Sequence, residues 1–100
     1  MEKYEVVKIK YEYEYRCIKY MVKKNNEDYK DKYIFLSDLE NELFHELHLY
    51  RILKIKNFED KMEDTALRTA ICRLRKKINK LYEIHTIRQV GYALVRRYDD

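Results

Sequence analysis

The sequence predicts an α+β domain in which an N-terminal antiparallel sheet is followed by three helices and a C-terminal β-hairpin. Three patterns predict it. Apolar and charged residues alternate early in the chain; apolar residues then recur at helical spacing between Leu39 and Leu81; β-like runs return from Ile84 around the only glycine, Gly91. One hundred residues support a single hydrophobic core, and 40% charged with 46% hydrophobic residues is a globular composition.

From Val7 to Tyr15 the odd positions (Val7, Ile9, Tyr11, Tyr13, Tyr15) are apolar or aromatic, and the even positions from Lys8 to Arg16 are charged. A period of two is that of a half-buried strand. The apolar set moves to even positions at Ile18, Tyr20 and Val22, so a turn or bulge is expected near Tyr15 to Cys17. Lys23 to Lys32, with Asn25-Asn26, reads as a loop, and Tyr33 to Leu36 as a further short strand. The sheet is thus expected over about residues 4–36.

Three helices are expected over about residues 37–82. Ser37-Asp38-Leu39-Glu40 is a capping box: the Ser37 hydroxyl accepts the third amide of a helix while Glu40 reaches back to the Ser37 amide. Leu39, Leu43, Phe44 and Leu47 then form one apolar face, running to about Tyr50. A short second helix is expected over Asn57 to Glu63, with Phe58 and Met62 inward. In the third, Leu67, Ala70, Ile71, Leu74, Ile78 and Leu81 form one stripe. Arg68, Thr69, Cys72, Arg73, Arg75, Lys76, Lys77 and Lys80 cover the rest. Ile84 to Ile87 and Tyr92 to Val95 flank Gln89-Val90-Gly91 as a hairpin over about 84–96, where Gly91 supplies a tight turn or a close approach.

Charge is unevenly distributed. Residues 1–36 carry nine Lys/Arg against seven Asp/Glu, residues 37–64 four against eight, and residues 65–98 nine against one. The net values are +2, −4 and +8, and Asp99 and Asp100 bring the total to +4. A basic block in one third of a domain is the footprint of a polyanion-binding face, and by itself also that of a solvated basic helix.

The resemblance to a known family rests on two motifs. Ile71-Cys72-Arg73-Leu74-Arg75-Lys76-Lys77-Ile78, followed by His85-Thr86-Ile87-Arg88-Gln89-Val90-Gly91-Tyr92, resembles the signature of OmpR/PhoB-type DNA-binding domains. There an Ile-x-x-Leu-Arg-x-x-Leu-like recognition helix precedes a Thr-Val-Arg-Gly-x-Gly-Tyr wing. Leu36 to Phe44 similarly resembles that family's Leu-Thr-x-x-Glu-x-x-Leu-Leu first helix, so the likeness spans about residues 33–95. It implies a winged helix-turn-helix whose third helix reads double-stranded DNA.

Carried over position by position, the resemblance makes Arg73 and Arg75 DNA contacts, Thr86 a phosphate contact at the base of the wing, and Arg88 a wing residue near the minor groove. Base reading is expected from the N-terminal half of the helix, Arg68, Thr69, Cys72 and Arg73, with Lys76, Lys77 and Lys80 suited to phosphates or to plain solvation. Three departures stand out: Gln89 where the family has Gly, Ala93 where it often has Arg, and fewer residues before the third helix. In relatives that segment can touch RNA polymerase, so its shortness favours repression over activation.

Other chemistry has little support. His45 and His48 stand at i and i+3 with no nearby Cys, a spacing a half-buried helix explains as well as a metal. Cys17 and Cys72 form no Cys-x-x-Cys pair, and Cys72 lacks a resolving partner. Tyr11, Tyr13 and Tyr15 suit packing rather than base stacking. No catalytic constellation, metal site, cofactor or small-molecule ligand is evident, and neither a membrane span nor a signal peptide. The expectation is a cytoplasmic, sequence-specific DNA-binding transcriptional regulator, without a receiver domain, acting as a homodimer or in tandem. The alternative is a protein-interaction or assembly module that keeps the same fold.

Overall fold

The computed structural model of the chain describes residues 4–24 and 29–98. Strands β1 (Tyr4–Glu12), β2 (Cys17–Lys24) and β3 (Tyr29–Phe35) form an antiparallel sheet in the order β1-β2-β3. The alternation breaks in two places. Val6 pairs with Val22 but Lys8 with Met21, so a bulge at Val7 turns that side chain to solvent rather than into the core. The first strand stops at Glu12 instead of continuing to Tyr15, because residues 13–16 form a turn closed by the Arg16 amide on the Tyr13 carbonyl (3.1 Å).

Of the segment expected as a loop, Lys23–Lys24 and Tyr29–Lys32 belong to strands, while Asn25 and Asn26 lie outside the described residues. Polar residues hold this part of the sheet by pairing across strands. Lys19 meets Asp31 at 3.7 Å and the Lys23 ammonium sits 5.7 Å from the centre of the Tyr29 ring, contacts that local polarity does not reveal.

Helix α1 (Asp38–Tyr50) begins with the expected capping box: the Glu40 amide donates to the Ser37 hydroxyl (3.2 Å) and the Ser37 amide to Glu40 Oε1 (2.7 Å). Leu43, Phe44 and Leu47 are fully buried, each contributing about 1.5–3 kcal/mol of hydrophobic stabilisation. Leu39, expected on the same face, is exposed, and Glu40 and Asn41 are buried in this turn. Their polar atoms are satisfied. The Lys77 ammonium donates to Glu40 (2.7 Å), and Asn41 accepts from the Tyr11 hydroxyl (2.6 Å) while donating to the Tyr13 carbonyl (3.0 Å). His45 and His48 pack their rings against Tyr11, Tyr13 and Phe44.

Arg51 ends α1 in the left-handed conformation (φ 64°) and turns the chain into β4 (Ile52–Lys54), a strand the sequence pattern does not predict. Three residues hold too little periodicity to see, and β4 exists by pairing with residues 91–93.

The expected second helix over Asn57 to Glu63 is a correction: the chain makes one 3₁₀ turn, Ile55–Phe58, and a further turn beyond it. The Ile55 amide is captured by the Val90 carbonyl (2.9 Å), no side chain caps the turn, and Phe58 is its one buried residue. Nothing there offsets the cost of nucleating an α-helix. Among the described residues there are therefore two α-helices and not three.

Helix α2 (Asp64–Ile78) buries Leu67, Ala70, Ile71, Leu74 and Ile78. Strands β5 (Tyr82–Ile87) and β6 (Gly91–Arg96) follow as an antiparallel pair in a second sheet of order β4-β6-β5. Gly91 is needed for a close approach: a Cβ there would lie 1.8 Å from the Leu53 carbonyl oxygen on β4. One core unites Ile18, Tyr20 and Val22 of the first sheet, the inner faces of both α-helices, and Leu53, Ile84, Tyr92 and Leu94 of the second sheet.

Candidate nucleic-acid interface

Helix α2 has three distinct sides. Its apolar stripe is buried, and opposite it Thr69, Cys72, Arg73 and Lys76 are exposed, with Lys80 beyond the helix end also exposed. Positions 69, 72, 73 and 76 are spaced i, i+3, i+4 and i+7, so they share one outward face. That face carries two cations, Arg73 and Lys76, and no carboxylate. Thr69 donates its hydroxyl to the Thr65 carbonyl (3.0 Å), and Arg68 reaches back to Asp64 (3.3 Å), an exposed pair of small energetic weight.

The other two sides of the helix are braced. Arg75 donates from Nε to the Ile84 carbonyl (3.0 Å) and from Nη2 to the Thr86 hydroxyl (3.3 Å), fastening α2 to β5. Lys77 points the other way, to the Phe35 carbonyl (3.1 Å) and to Glu40 (2.7 Å) at the start of α1. Burial alone would raise the Glu40 carboxyl, but Lys77 and the Ser37 contacts outweigh it and hold the group below the ordinary carboxylate range. Arg75 and Lys77 thus orient the helix between the two sheets. Sequence spacing places both among the polar positions of α2 without distinguishing them from the outward cations. Their partners are two backbone carbonyls, the Thr86 hydroxyl and a helix-capping carboxylate, and spacing along the chain does not show that any of them meets these cations.

The β5–β6 turn presents Arg88 to solvent. The Val90 amide donates to the Ile87 carbonyl (3.0 Å), and Gln89 takes the left-handed conformation, φ 67°. Gln89 is the position at which the sequence departs from the wing motif's glycine, and the backbone keeps the conformation a glycine adopts freely. Thr86 stands two residues before Arg88, exposed, with its oxygen accepting from Arg75.

Glu83, the one acid between residues 65 and 98, is occupied by neighbouring bases. His85 contacts it at 2.7 Å and Arg97 at 3.2 Å, and these two, His85 foremost, hold its carboxyl below the ordinary range. The basic character of this third of the chain is therefore little offset from within. Among the described residues no group of His, Cys, Asp and Glu is arranged to hold a metal, and no helix is long and apolar enough to cross a membrane.

Comparison with known proteins agrees with this geometry. The family model for the C-terminal domain of transcriptional regulatory proteins matches residues 34–94, from the end of β3 to β6. No curated protein and no solved structure matches the chain. The match takes in the capped first helix, the basic α2 and the turn bearing Arg88. The chain belongs to the OmpR/PhoB-type family of C-terminal DNA-binding domains of transcriptional regulatory proteins.

Proposed function

We propose that this domain binds double-stranded DNA sequence-specifically, with α2 in the major groove and the β5–β6 hairpin as the wing of a winged helix-turn-helix. The observation that carries the reading is the division of labour among the basic residues of α2. Arg75 and Lys77 are tied inward, which leaves Arg73 and Lys76 on an acid-free outward face. A 15-residue helix is about 22 Å long and about 10–12 Å across, dimensions the major groove admits.

In this reading Arg68, Thr69, Cys72 and Arg73 meet base edges, Lys76 meets phosphate, Thr86 contacts the backbone at the base of the wing, and Arg88 approaches the minor groove. Arg75 acts through its hold on the hairpin. The domain serves as a repressor, because the connector between Phe58 and Asp64 is too short to offer a polymerase-contacting loop. It binds as a homodimer or in tandem.

Fluorescence anisotropy against duplexes selected from a random pool tests this. Binding should weaken linearly in log salt, the slope falling by about 1 when Lys76→Ala removes one phosphate contact. Arg73→Ala and Arg88→Ala should cost affinity without lowering the melting temperature. Absence of duplex binding by the wild type at low salt would sink the proposal.

A second reading, an assembly module, is favoured by one observation. Tyr29, Tyr33 and Phe35 line the outer face of edge strand β3 and are 56%, 53% and 67% exposed. If this row serves contact between copies, Tyr33→Ala with Phe35→Ala should lower the oligomeric state seen by light scattering.

A further inference from the structure

A cleft of about 570 Å³ lies beside the C-terminal end of α2. Val6 of β1 and Tyr20 and Val22 of β2 form an apolar side, Lys32 of β3 stands at another, and Asn79, Lys80 and Arg97 complete the lining. Three cations from three separate parts of the chain therefore line one apolar surface, and among the described residues no carboxylate lines it. Arg97 is held in place by the Tyr82 carbonyl (3.4 Å) and Glu83 (3.2 Å). Glu83 already pairs with Arg97, so Lys32 and Lys80 supply most of the positive charge an anion would meet beside the apolar wall.

We propose that this cleft binds a small amphipathic anion, a carboxylate or phosphate monoester on an apolar body. The charged end would sit among Lys32, Lys80 and Arg97, and the apolar body would cover Val6, Tyr20 and Val22. The volume is in the range of small-molecule sites. A DNA phosphate fits less well, since it brings no apolar group to cover the valines. Asn79 and Lys80 directly follow Ile78, the last residue of α2, so an occupant touches the end of the basic helix. This gives the domain a place where a metabolite-sized anion is sensed, independently of whether α2 reads DNA.

The test is a titration of the ¹⁵N-labelled chain, without DNA, with octanoate and with octyl phosphate. Octanol and inorganic phosphate serve as controls that each supply half of the chemistry. Saturable shifts are expected at the amides of Val6, Tyr20, Val22, Asn79 and Lys80, and the tighter of the two anions assigns the headgroup. Lys32→Glu, or Lys32→Gln should charge reversal disturb the sheet, is expected to weaken binding about tenfold with the fold intact. The proposal fails if neither anion shifts these amides saturably, if octanol binds as well as octanoate, or if a folded Lys32 variant keeps full affinity.

Discussion

Arg75 on α2 donates its Nε proton to the carbonyl of Ile84 on β5 at 3.0 Å, and the same guanidinium reaches the Thr86 hydroxyl at 3.3 Å. One side chain thereby ties the basic helix to the hairpin at two points. Arg73, two positions earlier, faces solvent. The two arginines of one motif should accordingly fail in different ways. Arg75→Ala is expected to lose about 1–2 kcal/mol of stability, the scale of charge-assisted bonds at a half-exposed site. Arg73→Ala should stay within about 0.5 kcal/mol of wild type and lose duplex affinity instead. Thermal denaturation paired with anisotropy separates them; equal melting temperatures would show that the tie to Ile84 carries no weight.

Gly91 should tolerate no side chain. A Cβ 1.8 Å from the Leu53 carbonyl oxygen meets backbone and cannot be relieved by rotating a side chain. Gly91→Ala is expected to cost about 3–5 kcal/mol, because β4 must leave β6 or the hairpin must move. Urea denaturation gives the value, and a loss under 1 kcal/mol would mean that the β4–β6 crossing is looser than the distance implies.

Gln89 offers the opposite substitution. Its φ of 67° is disfavoured for a residue with a Cβ and free for glycine, while glycine costs entropy in the unfolded chain. The net expectation for Gln89→Gly is a gain of about 0.5–1 kcal/mol, visible as a higher melting temperature. A lower one would show that the Gln89 side chain makes a stabilising contact outweighing the backbone cost.

The Glu40–Lys77 pair predicts a direction with pH. The folded protein holds the Glu40 carboxyl below its ordinary value, so folding favours the ionised form. Its contribution is fully present above the ordinary carboxylate range and is lost as pH falls through the lowered folded value. Glu40→Gln should therefore destabilise the protein near neutrality and flatten the acid limb of its stability curve. Denaturation midpoints from neutral to acidic pH measure this; an acid limb as steep as that of the wild type would assign acid sensitivity to other groups.

Much of the architecture is written in local periodicity. The period-two run before Tyr15, the Ser37 to Glu40 cap and the Leu67 to Leu81 stripe each specify an element because burial on one face repeats at the spacing of that element. The same local patterns expose the basic third of the chain and the wing motif that tie it to its family. Tertiary contact decided the rest. Ile55 is held by Val90, so a segment read as helix becomes a 3₁₀ turn; Ile52 to Lys54 becomes a strand only because β6 lies beside it. The bulge at Val7 and the exposure of Leu39 likewise depend on what each residue faces rather than on its hydrophobicity. The basic helix shows the division most clearly. Sequence alone marks Arg73, Arg75, Lys76 and Lys77 as one polar surface. Which of them are tied into the fold and which face outward is decided by carbonyls and a carboxylate that are distant along the chain and adjacent only once it has folded.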